Sequence, residues 1–161
     1  MGDECHHHHH DGPPTAAAVA SALAAADARL TGEGERMTAA RLRVLELLLA
    51  AGEPVKAYDL IARFGEDGRP AKPPTVYRAL EFLERKGLAH RIASISAYVA
   101  CTSGAAAHAA AFLICDCCGA TEEIPSSIAG GLNQAAADVG YQIERTTIEA
   151  HGRCPACRTG A

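Results

Sequence analysis

Two Cys-x-x-Cys pairs are the residues of this chain best suited to chemistry. Cys115 and Cys118 lie in ICDCCG, and Cys154 and Cys157 lie in RCPAC. Each pair places two thiolates on one turn, and two such turns together form the closed tetrahedral S4 sphere that zinc favours. The intervening loop has 35 residues, which is longer than in a simple zinc ribbon. The pattern therefore predicts a structural zinc that stabilises a small folded unit containing a sheet and a helix.

Other interpretations of these cysteines remain open. Two disulfides would use the same four residues, but nothing in the sequence looks like an export signal. RCPAC alone looks thioredoxin-like, yet we expect it to lack the preceding strand and the following helix that such a motif needs. Cys117, inside the first pair, could compete with Cys115 or Cys118 for metal, or could be a free thiol.

Composition limits the size of the hydrophobic core. The 161 residues are 48% hydrophobic but only 4% aromatic, which fits two small lobes better than one large one. The apolar stretch at 16–26 is interrupted by Ser21 and is much shorter than the ~20 residues that a membrane span requires. We therefore expect a soluble, cytoplasmic protein with no membrane partner.

Charge is distributed unevenly along the chain. The net charge is −4, but residues 36–91 carry eleven Lys and Arg against seven acidic residues, whereas the segments on either side are acidic. An anionic partner would therefore bind most favourably to the middle third of the chain.

The first two thirds of the chain predict a tail followed by a helical domain. Residues 1–14 are polar and are expected to be disordered, and their run His6–His10 is either a purification tag or a native metal-binding tail. Capping residues and apolar spacing predict helices over 15–30, 38–51, 57–64 and 73–86, and then two strands over 88–93 and 95–100. The last three helices and the β-hairpin form a winged helix-turn-helix, so we assign residues 15–101 to this domain.

A linker over 102–109 precedes a second small domain over 110–161. Alternating apolar residues predict strands over 110–115, 120–124 and 142–149, with a helix over 126–139. The predicted fold class is α+β: an N-terminal winged helix-turn-helix DNA-binding domain followed by a small α/β domain.

The helix over 73–86 has one apolar side and one polar side, which suits a helix that reads DNA. Recognition helices place their N-terminal residues in the major groove, so Thr75, Tyr77 and Arg78 are candidates for base contacts. Lys72 precedes them as a candidate phosphate contact, and the further phosphate candidates are Arg41, Arg43 and Lys56. A solvated charged face is the alternative for each residue taken singly.

Four sequence runs resemble the Fur family of metal-dependent repressors, and within it the zinc uptake regulator (Zur) branch. They are AYDL at 57–60, AKPPTVYRAL at 71–80, FLICD at 112–116 and IEAHG at 148–152. The resemblance covers roughly residues 30–158. It implies a homodimer, with the second domain as the dimerisation domain, that binds a palindromic operator when loaded with zinc and represses zinc-acquisition genes. It also implies base contacts by Tyr58 and Arg78.

The same resemblance implies a second, regulatory zinc site. His90, Cys101, His108 and Glu123 match the regulatory positions of Zur-like proteins, which would bring the total to two zinc ions per subunit. Such a set, spread over both domains, closes only in one relative orientation of the domains. Cys101 supplies a soft thiolate that favours zinc, and an iron or manganese sensor is the alternative. Glu122 is an alternative ligand to Glu123.

Three further possibilities complete the sequence-based predictions. His151 and Glu149 could form part of a third metal site, or His151 could support the ligand Cys154. A zinc deaminase would need His-x-Glu followed by Pro-Cys-x-x-Cys, and neither motif occurs, so we do not expect an enzyme. A zinc buffer would account for the His run and the seven cysteines but not for the winged helix.

Overall fold

The computed structural model describes residues 14–65, 71–101, 110–125 and 129–158. These residues form two compact units, one within 14–101 and the other within 110–158. The predicted N-terminal tail and the predicted linker with His108 lie outside the described residues. No helix in the described part of the chain is long and apolar enough to cross a membrane.

The first unit contains four helices and three short strands. Its elements are α1 Ala16–Gly32, α2 Ala39–Ala51, β1 Val55–Lys56, α3 Ala57–Arg63, α4 Pro73–Arg85, β2 Ala89–Ile92 and β3 Ala97–Ala100. Thr15 and Thr38 cap the first two helices, because their side chains accept hydrogen bonds from the N–H groups of Ala18 and Arg41. Gly52 ends α2 with φ of 64°, a left-handed conformation that glycine adopts without steric cost.

A single apolar core holds this unit together. Leu48 of α2, Leu60 of α3 and Leu83 of α4 have no exposed surface. The sheet has the order β1-β3-β2 with antiparallel pairing throughout. Beside the predicted two-stranded wing it therefore contains β1, whose two residues are too few for an alternating pattern to reveal.

The second unit is a three-stranded sheet with two helices. Its elements are β4 Ala110–Cys115, β5 Thr121–Pro125, α5 Ala129–Asp138, β6 Thr147–Gly152 and α6 Pro155–Arg158. The central strand β4 pairs antiparallel with β5 and parallel with β6. The predicted α+β fold is confirmed. The third strand, however, lies later than predicted, over Thr147–Gly152 and not over 142–149.

The register of this sheet positions the two cysteine pairs. Cys115 ends β4 directly opposite Gly152 of β6. The N–H of Asp116 donates to the Gly152 carbonyl at 2.8 Å, which extends the pairing by one residue. Because Cys154 follows Gly152 by two residues, strand pairing alone brings the second cysteine pair beside the first.

Candidate metal centres and DNA-binding surface

Four cysteine sulfurs converge at the end of the second unit's sheet. The Sγ atoms of Cys115, Cys118, Cys154 and Cys157 all lie within 4.8 Å of one another, and those of Cys118 and Cys154 are 3.8 Å apart. Tetrahedral zinc with Zn–S bonds of about 2.3 Å requires sulfur–sulfur separations of about 3.8 Å. The residues therefore fit a zinc ion both in ligand type and in spacing.

Backbone N–H groups stabilise negative charge on one of these sulfurs. The Sγ of Cys115 accepts the N–H of Cys154 at 3.3 Å. Hydrogen bonds from the backbone of Cys118 and Cys154 lower the pKa of the Cys115 thiol to about 6. The hydrogen bond with Cys154 and burial raise the pKa of Cys157. In the absence of a cation the cluster therefore retains protons, and a divalent metal would replace them.

The structure bears on both alternatives to a metal site, namely two disulfides and a thioredoxin-like redox motif. Cys115, Cys118, Cys154 and Cys157 are not joined by disulfides. The expectation that RCPAC lacks neighbouring elements is wrong, because β6 precedes it and α6 begins within it at Pro155. What distinguishes RCPAC from an isolated redox motif is that its sulfurs face those of the other pair.

One polar pair beside the cluster was not predicted from the sequence. His151 Nδ1 lies 2.9 Å from Asp116 Oδ1, which joins the residue after Cys115 to β6. The register that places Ile114 opposite His151 creates this pair, and no local sequence pattern reveals it. His151 thus lies beside the cysteines, and the four-sulfur group does not include it.

Two of the four predicted regulatory ligands lie together on the wing of the first unit. His90 is in β2, and Cys101 follows β3 with its N–H donating to the Leu88 carbonyl at 3.0 Å. Their ligand atoms lie within 4.8 Å of each other, and both residues are half-buried. His108 lies outside the described residues.

The fourth predicted ligand belongs to the second unit. Glu123 is a half-buried residue of β5, opposite Phe112 of β4. Its neighbour Glu122 is exposed, and successive side chains of a strand point to opposite faces of the sheet. The two carboxylates therefore cannot serve the same site equally.

The predicted DNA-reading residues lie on an exposed surface of the first unit. In α4 the side chains of Thr75, Tyr77 and Arg78 are exposed, whereas Val76 and Ala79 on the opposite side of the helix are buried. Lys72 precedes the helix and is exposed, and Tyr58 at the start of α3 is 78% exposed. The side chain of Tyr58 is therefore accessible to a partner.

Two of the predicted phosphate contacts have partners within the protein. The guanidinium of Arg41 lies 3.3 Å from the centre of the Phe82 ring of α4. Arg43 Nη1 pairs with Glu46 at 2.7 Å, and its Nε donates to the Phe64 carbonyl. These contacts give both arginines a role in packing α2 against its neighbours. Lys56 is exposed.

Comparisons with known proteins agree with this geometry. The chain is 41% identical over 124 residues to the zinc uptake regulation protein of Escherichia coli K12, covering 76% of this chain and 72% of that protein. A solved zinc uptake regulator in complex with zinc and DNA has a TM-score of 0.80 and 36% identity, covering 91% of this chain and 97% of that one. The crystal structure of holo XcZur has a TM-score of 0.77 and 38% identity, covering 87% of this chain and 99% of that one. Residues 32–151 match the ferric uptake regulator family. The chain therefore belongs to the ferric uptake regulator family.

Proposed function

We propose that the protein is a zinc-dependent, dimeric transcriptional repressor that binds palindromic operators of zinc-uptake genes when loaded with zinc. The observation that carries this proposal is the pair His90 and Cys101 on the wing of the unit that also presents the recognition helix α4. A metal-binding pair there links metal occupancy to the DNA-binding unit. The similarity to zinc uptake regulators supports the choice of metal and of target.

Each subunit would hold two zinc ions. The structural ion would be bound by Cys115, Cys118, Cys154 and Cys157, whose thiolates form a closed sphere that leaves no position for a substrate. When bound, zinc supplies a crosslink between the turn after β4 and helix α6. That closed sphere also argues against a hydrolase or deaminase at this site.

The regulatory ion would be bound by His90, Cys101, His108 and Glu123. These ligands come from the wing, from the segment that follows it and from β5, so binding all four at once favours one arrangement of the chain. To shift a dimer from ~1:99 to ~99:1 in favour of the DNA-competent state requires ~5.5 kcal/mol of differential binding. Two regulatory sites in a dimer would each contribute about half of this. The Cys101 thiolate favours zinc over ferrous iron or manganese.

The exposed face of α4 and Tyr58 would contact the DNA bases. Arg78 carries an exposed guanidinium, the group that makes bidentate contacts with guanine, and Thr75 and Tyr77 lie close to it on the same helix. Lys72, just before the helix, would contact phosphate and set the register of the protein on the duplex.

Operator binding under controlled metal tests this function. A labelled Zur-type palindromic duplex would be titrated with protein in chelator, then across buffered free zinc, and in parallel with ferrous iron and manganese. We expect tight binding only with zinc, and weak binding of a scrambled duplex under every condition. Equal operator binding in chelator, or stronger binding with iron or manganese, would contradict the zinc-sensor assignment.

A further inference from the structure

One aromatic ring is buried on the side of α4 that carries Arg78. Phe82 is four residues after Arg78, so the two side chains lie one turn apart on the same side of the helix. Arg78 is exposed, whereas Phe82 is only 2% exposed. A helical side chain covers the turn before its own Cα, so the Phe82 ring lies toward the turn that carries Arg78. A contact that fixes this ring therefore acts close to the proposed base-reading side chain.

The side chain of Arg41, in the first turn of α2, covers the Phe82 ring. Its guanidinium lies 3.3 Å from the ring centre, within the range of about 6 Å in which cation–π attraction acts. Arg41 is half-buried and is held at two further points. Its backbone N–H donates to the Thr38 side chain, and its Nη1 donates to the Arg36 carbonyl. The stacked guanidinium thus connects α4 to the N-terminal end of α2.

A second guanidinium near the same ring provides a contrast. Arg85 lies 5.5 Å from the centre of the Phe82 ring and is exposed. Because Arg85 belongs to the same helix as Phe82, its contact cannot fix α4 relative to the rest of the unit. Arg41 can do so, because its contact joins two different helices.

We propose that Arg41 is a positioning residue for base readout: its stacking on Phe82 fixes the rotation of α4 about its axis, and thereby the direction of Arg78. The inference rests on the proposed role of Arg78 in reading the operator. A bidentate contact with guanine depends on both the position and the plane of the guanidinium, so a small rotation of α4 weakens it. Contacts with phosphate depend chiefly on charge and carry no sequence information. Loss of the stack should therefore reduce base preference while general affinity for DNA is kept, which is the opposite of losing a phosphate contact.

Operator binding by the zinc-loaded, full-length protein tests the proposal. Affinity would be measured for the Zur-type operator, for operators with single base substitutions and for a scrambled duplex, each at several salt concentrations. Arg41→Lys keeps the charge but loses the planar group, and we expect it to bind the operator about tenfold more weakly, within the loss expected of Arg78→Ala. Binding of the scrambled duplex and the salt dependence should be unchanged, because no phosphate contact is lost. Arg85→Gln, the matched control beside the same ring, should keep the base preference of wild type.

Two further variants test whether Arg41 acts through Phe82 and Arg78. Phe82→Leu keeps an apolar side chain and changes no charge, yet it should lose the same base preference as Arg41→Lys does. Adding Arg41→Lys to Arg78→Ala should weaken operator binding no further, because both substitutions act on one contact with the base.

The outcomes separate this inference from the proposed function. Wild type that does not prefer the operator to the scrambled duplex, or Arg78→Ala with unchanged base preference, would contradict the proposed readout itself. Where both of those effects are present, unaltered base preference in Arg41→Lys would overturn the positioning role. Equal losses on operator and scrambled duplex would also overturn it, since a phosphate contact or a less stable fold produces that result. So would an additive loss in the double variant, or an equal loss of base preference in Arg85→Gln.

Discussion

At the scale of single residues, Arg78 is the side chain with the most to contribute to sequence readout. It is exposed on α4, whereas Val76 and Ala79 of the same helix are buried in the core. We expect Arg78→Ala to cost ~1 to 3 kcal/mol in operator binding and to relax preference at one base pair. Arg78→Lys, which keeps the charge but loses the planar fork, should recover affinity for random DNA but not base preference. Titration of operators with single base substitutions measures both. An equal loss on operator and random DNA would make Arg78 a phosphate contact.

The pair on the wing predicts a loss of metal response without a loss of fold. Cys101→Ser replaces a thiolate with a hydroxyl, a poor zinc ligand, in a half-buried position that tolerates the change in volume. We expect zinc-dependent operator binding to disappear while the dimer stays intact in size-exclusion chromatography.

A double-mutant cycle with His90→Ala sharpens this test. The two ligand atoms lie within 4.8 Å of each other, so the effects of the two substitutions on zinc-dependent operator binding should not be additive. The double variant should bind the operator no more weakly than either single variant does. A folded Cys101→Ser variant with unaltered zinc-dependent affinity would reject the role of Cys101.

At the scale of elements, an ion-pair network connects the segment after α1 to the end of α4. Lys86, which follows α4, pairs with Glu33 at 3.1 Å and with Glu35 at 3.0 Å. Arg29 of α1 also donates to the Lys86 carbonyl. The hydrogen bond with Lys86 lowers the pKa of Glu35, and the hydrogen bonds with Glu35 and Glu33 raise the pKa of Lys86.

These shifts define the pH range in which the network stabilises the fold. A carboxylate with a lowered pKa contributes above its unfolded value of 4.5, and the contribution is lost as pH falls through the folded pKa. A lysine with a raised pKa contributes stability below its unfolded pKa of 10.5, and this contribution is lost as pH rises through the folded pKa.

Lys86→Gln should therefore lower the thermal midpoint at pH 7, and the difference from wild type should shrink at pH 3 and in high salt. Lys56→Gln, which changes an exposed lysine of the same unit, is the control. A loss of thermal midpoint in Lys86→Gln that does not depend on pH or salt would contradict the network.

Elements with local signals could be predicted from the sequence, and elements set by distant pairing could not. Thr38 and Gly52 bound α2 because capping and left-handed φ are local properties of the chain. The bounds of β6 depend on its parallel pairing with β4, more than thirty residues away in sequence, so a strand predicted from apolar spacing began too early. The contact between Asp116 and His151 follows from the same pairing, so the sequence identified His151 but not its partner.

At the scale of the whole molecule, the two units differ in what stabilises them. The core cluster of fully or nearly buried side chains lies within residues 26–100, so the first unit has its own apolar core. In the second unit the buried residues of the described part lie in β4, while every residue of β6 is exposed or half-buried. A small sheet with so little buried area needs a further crosslink, which the four-cysteine site would provide.

This difference predicts separate responses to the loss of the structural metal. Cys115→Ser removes the sulfur at the end of β4, so the second unit should lose its fold and the dimer should dissociate. The first unit should remain folded, because its core does not include the site. Hydrogen exchange measures each unit directly: amides of β4 should lose protection, and amides of α2 and α4 should keep it. Cys117→Ser is the matched control in the same turn, and its β4 amides should be as protected from exchange as those of the wild type. A Cys115→Ser dimer that is stable, free of zinc and still protected in β4 would refute the structural role, and simultaneous loss of protection in α2 and α4 would show that the two units fold as one.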